Sequence, residues 1–319
     1  MRWTRAGRVA DMLLSVEGLQ VAFGDVGVVR GVTLSLEAGE TLGLVGETGC
    51  GKSVMALTIM GLIPQARIEG TLTFDGLDLR ALSPRQWEDV RGRRIGMVFQ
   101  DPFTALNPVF TIGDQVSAVL ARHFGLKGAG LRDRMLGWLG RVGLPPTADF
   151  AARYPHLLSG GQRQRVAIAL ALAGEPTLLL ADEPTTALDV TVQAQILDLL
   201  RTLQRQTGVA VVFISHDLDV IGSLCHRVAV MYAGRIVEQG ETTALFAGPR
   251  HPYTRGLFEA RQPHDGRLPA IPGSVPPPSA FPQGCAFHPR CGRMQQRCTE
   301  EVPELGPATP TQAACFYPF

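Results

Sequence analysis

Residues 41–62 read TLGLVGETGCGKSVMALTIMGL, and this stretch changes character twice. It opens as a short apolar run, the form of a buried strand, and after Lys52 apolar residues return at helical spacing. Between the two lies Gly46-Glu47-Thr48-Gly49-Cys50-Gly51-Lys52-Ser53, which fits a phosphate-binding loop, with glycines where backbone must approach phosphate oxygens closely. In such a strand–loop–helix unit the amides of residues 49–53 can point at phosphates, helped by roughly half a positive charge at the helix N-terminus. Lys52 adds a full charge and Ser53 a hydroxyl ligand for Mg2+. The plainer reading is a chance glycine-rich turn, and its position between a strand and a helix weighs against that.

On the N-terminal side, the alternation in LLSVEGLQVAF and VTLSLEAGE predicts two antiparallel strands over residues 13–36, joined by a Gly-rich turn. On the C-terminal side, TLLLADEP and VAVVFISHD are continuous apolar strands ending in polar residues, as where a buried parallel sheet presents its carboxyl edge to a ligand. Asp182 at one strand end can hold Mg2+ and its water, and Glu183 is placed to polarise an attacking water. His216 just past the other strand comes within reach of a terminal phosphate. Gln100, in VFQDP, ends a further strand, where a side-chain amide can coordinate Mg2+ and sense bound nucleotide. Taken singly these are a solvated acid pair, a structural histidine and a surface glutamine; the phosphate loop gives them a common task. Residues 101–174 have helical pattern, amphipathic near 112–123 and 131–142, and predict an inserted helical subdomain.

With 319 residues the chain can bury one large core and carry an appendage. Thirty basic against twenty-nine acidic residues leave a net charge of +1, so no global field draws it to nucleic acid or anionic lipid, and no nucleic-acid partner is expected. Apolar runs such as 209–214 are strand-sized, far from the roughly 20 residues of a spanning helix. The N-terminus has Arg2, Arg5 and Arg8 but lacks the apolar core of a secretory signal, which predicts a cytosolic chain, with Met12 an alternative start to Met1. In that compartment six cysteines argue against a disulfide framework. Prolines at 263, 269, 272, 276, 277, 278 and 282 predict a linker over residues 262–282, followed by a short tail that holds Cys285, Cys291, Cys298 and Cys315.

Leu158-Ser159-Gly160-Gly161-Gln162 is the element through which the chain resembles the ABC ATPase superfamily. With the phosphate loop, Gln100, Asp182-Glu183, Ala187-Leu188-Asp189 and His216 it forms, in order, the motif set of that family over residues 13–248. The turn itself, two glycines and a serine before a helix starting near Gln162, makes a second anion site. The resemblance implies that this site meets the terminal phosphate bound by the opposite subunit, so that each ATP lies between one phosphate loop and one signature. It further implies nucleotide contacts from Gly46, Gly49, Cys50, Gly51, Lys52, Ser53, Val54, Gln100, Ser159, Gly160, Gly161, Gln162 and Asp189. Phe23 fits the adenine-stacking aromatic, and equally a core phenylalanine at a strand end. Mg2+ falls to Ser53, Gln100 and Asp182, and catalysis to Glu183, His216 and Lys52. The implied fold is α/β, a P-loop NTPase of the ABC type: a mixed sheet with an N-terminal antiparallel β subdomain and the helical insertion, over residues 12–250, with an extension over 251–319.

Narrower similarity, carried by GETLGLVGETGCGKSVMALTIMGL, FQDPFTALNP, ADEPTTALDVTVQAQILDLL and HPYT at 251–254, is to the dipeptide/oligopeptide importer ATPases, with nickel importers close by. Cys50 replaces a more usual serine, and Leu170 stands where many ABC proteins have arginine. The resemblance implies an ATPase whose hydrolysis powers peptide uptake. Its implied partners are a second, paralogous ATPase subunit, two membrane permeases and a solute-binding protein, with the chain peripheral on the cytoplasmic face of a bacterial inner membrane. Nickel or another small solute is the alternative cargo. A soluble ABC ATPase of DNA repair or translation would have a long coiled-coil insertion or two cassettes, and this chain has neither.

In the tail, five, six and sixteen residues separate the successive cysteines, slack enough for four thiolates around one centre. Four cysteines suit a [4Fe-4S] cluster or tetrahedral Zn2+, and the lack of tight pairs tilts the expectation to iron and sulfur, as does the importer resemblance. Reduced thiols in a small cap are the other reading. A metal crosslink would stabilise so short a segment, which makes a structural role the default and redox sensing the sharper expectation.

Overall fold

Two sheets divide the strands. In the computed structural model, which describes residues 12–260, 271–307 and 310–319, β1 (Met12–Phe23) and β2 (Val26–Glu37) pair antiparallel, as the alternation predicts. β3 (Thr41–Val45) leaves for the second sheet and runs through the phosphate loop into α1 (Lys52–Ile59). β4 (Arg67–Phe74) and β5 (Leu77–Asp78) return to complete a four-stranded sheet in the order β2-β1-β4-β5. Next, α2 (Pro84–Val90), begun by a Ser83–Gln86 capping box, leads to β6 (Ile95–Val98). The helices α3 (Pro102–Ala105), α4 (Ile112–Phe124), α5 (Gly128–Arg141), α6 (Ala148–Ala151) and α7 (Gly160–Ala173) come before the chain re-enters the sheet as β7 (Leu178–Asp182).

Alternation of helix and strand then continues through α8 (Val190–Thr207), β8 (Ala210–Ile214), α9 (Leu218–Leu224) and β9 (Arg227–Tyr232). β10 (Arg235–Glu241), α10 (Thr242–Ala247), α11 (Pro252–Glu259), α12 (Gln296–Glu300) and β11 (Gln312–Ala313) complete the chain. The large sheet has the order β11-β10-β9-β3-β8-β7-β6, parallel from β9 to β6 and antiparallel at β10 and β11. β3, β6, β7 and β8 are buried along their whole length, as strands covered on both faces must be. Period-two geometry splits them between two cores: Leu178 and Leu180 join α1 and the antiparallel sheet, whereas Leu179 and Ala181 join α4, α5, α7 and α8. Among the described residues no helix is long and apolar enough to cross a membrane.

Arg2, Arg5, Arg8 and residues 262–270 of the expected linker lie outside the described residues. The remainder of that segment does not behave as a spacer: Ile271, Val275 and Phe281 pack against the core, and the Arg30 guanidinium lies 4.1 Å from the Phe281 ring centre. The tail returns to the sheet, where Glu238 pairs with Ala313 and Gln239 with Gln312. Phe287 packs its ring on Tyr232, Tyr253 and His251, and the Cys285 amide donates to the Cys298 carbonyl at 2.8 Å.

The expected metal in this tail is corrected. Cys285, Cys291, Cys298 and Cys315 border one small pocket with Phe287 and Phe316. Yet among the described residues no three or more His, Cys, Asp or Glu side chains are grouped so as to hold a metal ion. Burial pushes the Cys285 thiol up to about 11 and raises Cys291 and Cys315 in the same direction. Ligation itself strips such protons, so the missing ligand group, and not the thiol pKa values, overturns the expectation. Neither a [4Fe-4S] cluster nor Zn2+ fits; ladder bonds and aromatic packing order the segment.

One close approach fixes the helical layer to the sheet. A Cβ at Gly96 in β6 would overlap the Ala171 carbonyl oxygen in α7, so strand and helix meet backbone to backbone. Gly96→Ala is expected to cost about 1–3 kcal/mol by overpacking and to lower the thermal unfolding midpoint. An unchanged midpoint would show that α7 can move away from the sheet freely.

Candidate functional site

Because β3, β8, β7 and β6 are neighbours and parallel, the residues that follow them emerge along one edge. Ile214 is the Cα partner of both Leu44 and Asp182, and Val98 is that of Ala181, so the phosphate loop, the Asp182-Glu183 pair, His216 and Gln100 gather there.

Two glycines make the loop possible. Gly46 takes φ 154°, and a Cβ on it would overlap the Met231 carbonyl oxygen; Gly51 takes φ 107° at the start of α1, with a Cβ only 3.1 Å from the Val28 carbonyl oxygen. The loop curls around Lys52, which is 5% exposed and donates from Nζ to the carbonyls of Gly46 (2.8 Å) and Glu47 (3.1 Å). Cys50 is buried with its Sγ 3.7 Å from that ammonium; burial raises its thiol pKa despite Lys52, so a neutral side chain fills this position. Val54 follows Ser53 in α1 and packs into the core on that face of the sheet.

Ser53 Oγ donates to Asp182 Oδ1 at 3.1 Å, joining α1 to the end of β7. Asp182 is 5% exposed, and its pKa is raised by burial above all, with Glu183 adding to the rise and Ser53 and Lys52 opposing it. Glu183 takes φ 45°, uncommon for a residue with a side chain, while its amide donates to the Ile214 carbonyl at 3.0 Å. This turn aims the carboxylate at a ring of partners. Glu183 Oε2 accepts from Thr186 Oγ1 at 2.8 Å and from Gln100 Nε2 at 3.2 Å, and lies 3.4 Å from His216 Nδ1.

Lys52, Ser53, Gln100, Asp182, Glu183 and His216 thus converge. The hard oxygen donors of Ser53 and Asp182 fit Mg2+. Gln100, expected at the ion, applies its amide nitrogen to Glu183. Ser159, Gly160, Gly161 and Gln162 gather at the start of α7. Ser159 Oγ accepts from the Gln162 amide at 3.3 Å and Gln162 Oε1 accepts from the Ser159 amide at 3.1 Å, a capping box that starts the helix at Gly160, ahead of the expected position. A Cβ on Gly161 would sit 2.7 Å from Val192 Cγ1, so this turn packs on α8. Asp189 caps that helix, accepting from the Val192 amide at 2.9 Å. Phe23, 37% exposed, ends β1. Thr186 was not predicted; a hydroxyl three residues after a carboxylate in a turn is its only signal. Tyr253, whose hydroxyl accepts from the Glu47 amide at 2.9 Å, was noticed only as part of HPYT.

The family model "ABC transporter" matches residues 29–186, and that for the oligopeptide/dipeptide transporter C-terminal region matches residues 237–298. A Brucella melitensis chain named for peptide import is 48% identical over 300 residues, covering 91% of this chain and 90% of the relative. The dipeptide transport ATP-binding protein DppD of Escherichia coli is 44% identical over 316 residues, covering 96% and 97%. A solved dimeric ATP-binding cassette, in a post-hydrolysis state bound to ADP and Pi, superposes with a TM-score of 0.64 at 30% identity, covering 72% of this chain and 99% of its own.

The raised pKa of Asp182 carries a stability cost. A carboxyl whose folded pKa is raised binds its proton more tightly in the folded state, so folding is penalised at neutral pH, and the penalty is relieved as pH falls from the folded value to the ordinary carboxyl value. Asp182→Asn is therefore expected to raise the thermal midpoint at neutral pH. The gain should shrink towards acid pH, and Mg2+ should no longer strengthen nucleotide binding. Scanning calorimetry checks the first; a lower midpoint at neutral pH would refute it.

Proposed function

The chain belongs to the ABC transporter family, and from that premise we propose that it is the ATP-hydrolysing subunit that powers import of di- and oligopeptides. The arrangement of Ser53 with Asp182, and of Gln100, Thr186 and His216 around Glu183, all beside Lys52, carries the enzymatic part of this reading. The match of residues 237–298 to the oligopeptide/dipeptide transporter C-terminal region, with 44% identity to a dipeptide transport protein, supports peptide over nickel as cargo.

ATP seats its phosphates on the loop around Lys52, whose ammonium exchanges the Gly46 and Glu47 carbonyls for phosphate oxygens. Ser53 and Asp182, joined by the Gln100 amide oxygen, would hold Mg2+, which when bound would supply charge neutralisation at the phosphates. Glu183 orients a water whose oxygen attacks the terminal phosphorus. The proton passes to the Glu183 carboxylate, the bond from phosphorus to the bridging oxygen breaks, and ADP and phosphate remain. Thr186 keeps that carboxylate turned towards the water, and His216 on its other side hydrogen-bonds the departing phosphate.

The Ser159 turn presents the free amides of α7, a helix of 14 residues, and a solved relative is a dimer. On this basis two protomers enclose each ATP, the loop of one against Ser159, Gly160, Gly161 and Gln162 of the other, with Asp189 at the same junction and Phe23 against adenine. Residues 12–250 act as the nucleotide-binding domain, with the helical subdomain at about 101–174, and 251–319 as its extension. The importer relatives favour a paralogous ATPase partner, two permeases and a solute-binding protein, and with them a place on the cytoplasmic face of a bacterial inner membrane.

Glu183→Gln is expected to reduce phosphate release about 10²–10⁴-fold while ATP still binds. Parental turnover in that variant would remove Glu183 from the role of general base. Thr186→Ala, which frees the carboxylate without deleting it, should cost about tenfold in kcat, measured by the same assay.

A further inference from the structure

We propose that Arg290 and Tyr253, both from the C-terminal extension, are positioning residues for the phosphate loop and set its affinity for nucleotide. The inference rests on the nucleotide reading of that loop. Glu47, the second residue of the loop, is gripped at two points. Its carboxylate accepts a bidentate pair from Arg290, Nη1 to Oε2 at 2.7 Å and Nη2 to Oε1 at 3.1 Å. Its backbone amide donates to the Tyr253 hydroxyl at 2.9 Å. The next atoms along are those that hold Lys52, the carbonyls of Gly46 and Glu47 itself.

Both grips are rigid. The Arg290 side chain is 5% exposed, and its Nε donates to the Pro272 carbonyl at 2.7 Å. Burial works against its charge, but the hydrogen bonds and charge of Glu47, with help from Tyr232, outweigh that and raise its pKa, so it is a permanent cation. Tyr253 is fully buried, its ring against Tyr232 at 4.6 Å and Phe287 at 5.4 Å. Its helix is fixed at the start: His251 Nδ1 accepts from the Tyr253 amide at 3.0 Å, and the His251 amide donates to buried Glu238 at 2.9 Å. Burial depresses the His251 pKa to about 3, so the imidazole stays neutral and keeps accepting.

A carboxylate in a phosphate-binding loop opposes its own ligand, since Glu47 repels the triphosphate it helps to surround. Arg290 cancels that charge at short range, and the fork also fixes where the loop sits. Without Arg290 the loop has an uncompensated anion beside the phosphates and must be ordered by the nucleotide itself.

The test is a mutant cycle on the full-length chain. Kd for a non-hydrolysable ATP analogue with Mg2+ is read by calorimetry, and KM and kcat by phosphate release. Arg290→Met is expected to weaken binding and raise KM about tenfold, with kcat changed less than about twofold. Adding Glu47→Gln to Arg290→Met should bring Kd back to within about threefold of the parent, because the repelling charge is gone. Tyr253→Phe should weaken binding about threefold by orphaning the Glu47 amide. A parental Kd in Arg290→Met, or a double variant as weak as the single, overturns the proposal, since a merely structural role would not be relieved by neutralising Glu47. Should Arg290→Met fail to fold, Arg290→Gln, which can still hydrogen-bond Pro272, takes its place in the cycle under the same criteria. A parent chain that binds no nucleotide would instead refute the functional reading beneath.

Discussion

The side-by-side parallel register of β3, β8, β7 and β6 is the constraint on which the site depends. Each strand is buried along its length, so none can slip by one residue without sending its apolar side chains to the wrong core. That locking gives Asp182 a defined height opposite Ile214, and from there the Ser53 hydroxyl lies one hydrogen bond away. Convergence of groups from four distant stretches thus follows from strand packing, and their chemistry from what stands at each strand end.

Several features of the edge work against folding. Asp182 is a carboxylate in a buried place, and Glu183 holds a left-handed backbone without being glycine. Lys52 is almost wholly buried with its ammonium on carbonyls. Each is costly in isolation and sensible where a triphosphate and a divalent cation are the intended partners. The two cores on either side of the sheet, with backbone contacts such as Gly96 to Ala171, offset these local costs.

Much of this was legible in the sequence because the motifs coincide with element boundaries. The phosphate loop announces itself between a strand and a helix, and the acids of ADEP stand where an apolar run ends. The contacts missed were those with no local signal: Tyr253 meets Glu47 across 206 positions and Arg290 meets it across 243, and no periodicity encodes such a pairing. The cysteines misled for another reason. Their number and spacing describe how many donors a loop could offer, but not whether the fold groups three of them around one point, and among the described residues no such group forms. Proline content likewise suggested a spacer, although Ile271, Val275 and Phe281 show that stiff chain can still be well packed.

The short pairing of Gln312 and Ala313 with β10 has a consequence for solubility. β10 would otherwise border the large sheet with a row of open donors and acceptors, the kind of template on which foreign strands add. Two residues of ladder, continued by the Ala314 amide on the Val237 carbonyl at 2.8 Å, cover that border from Val237 to Gln239. Over that stretch the tail occupies, from within the same chain, the positions a foreign strand would otherwise use.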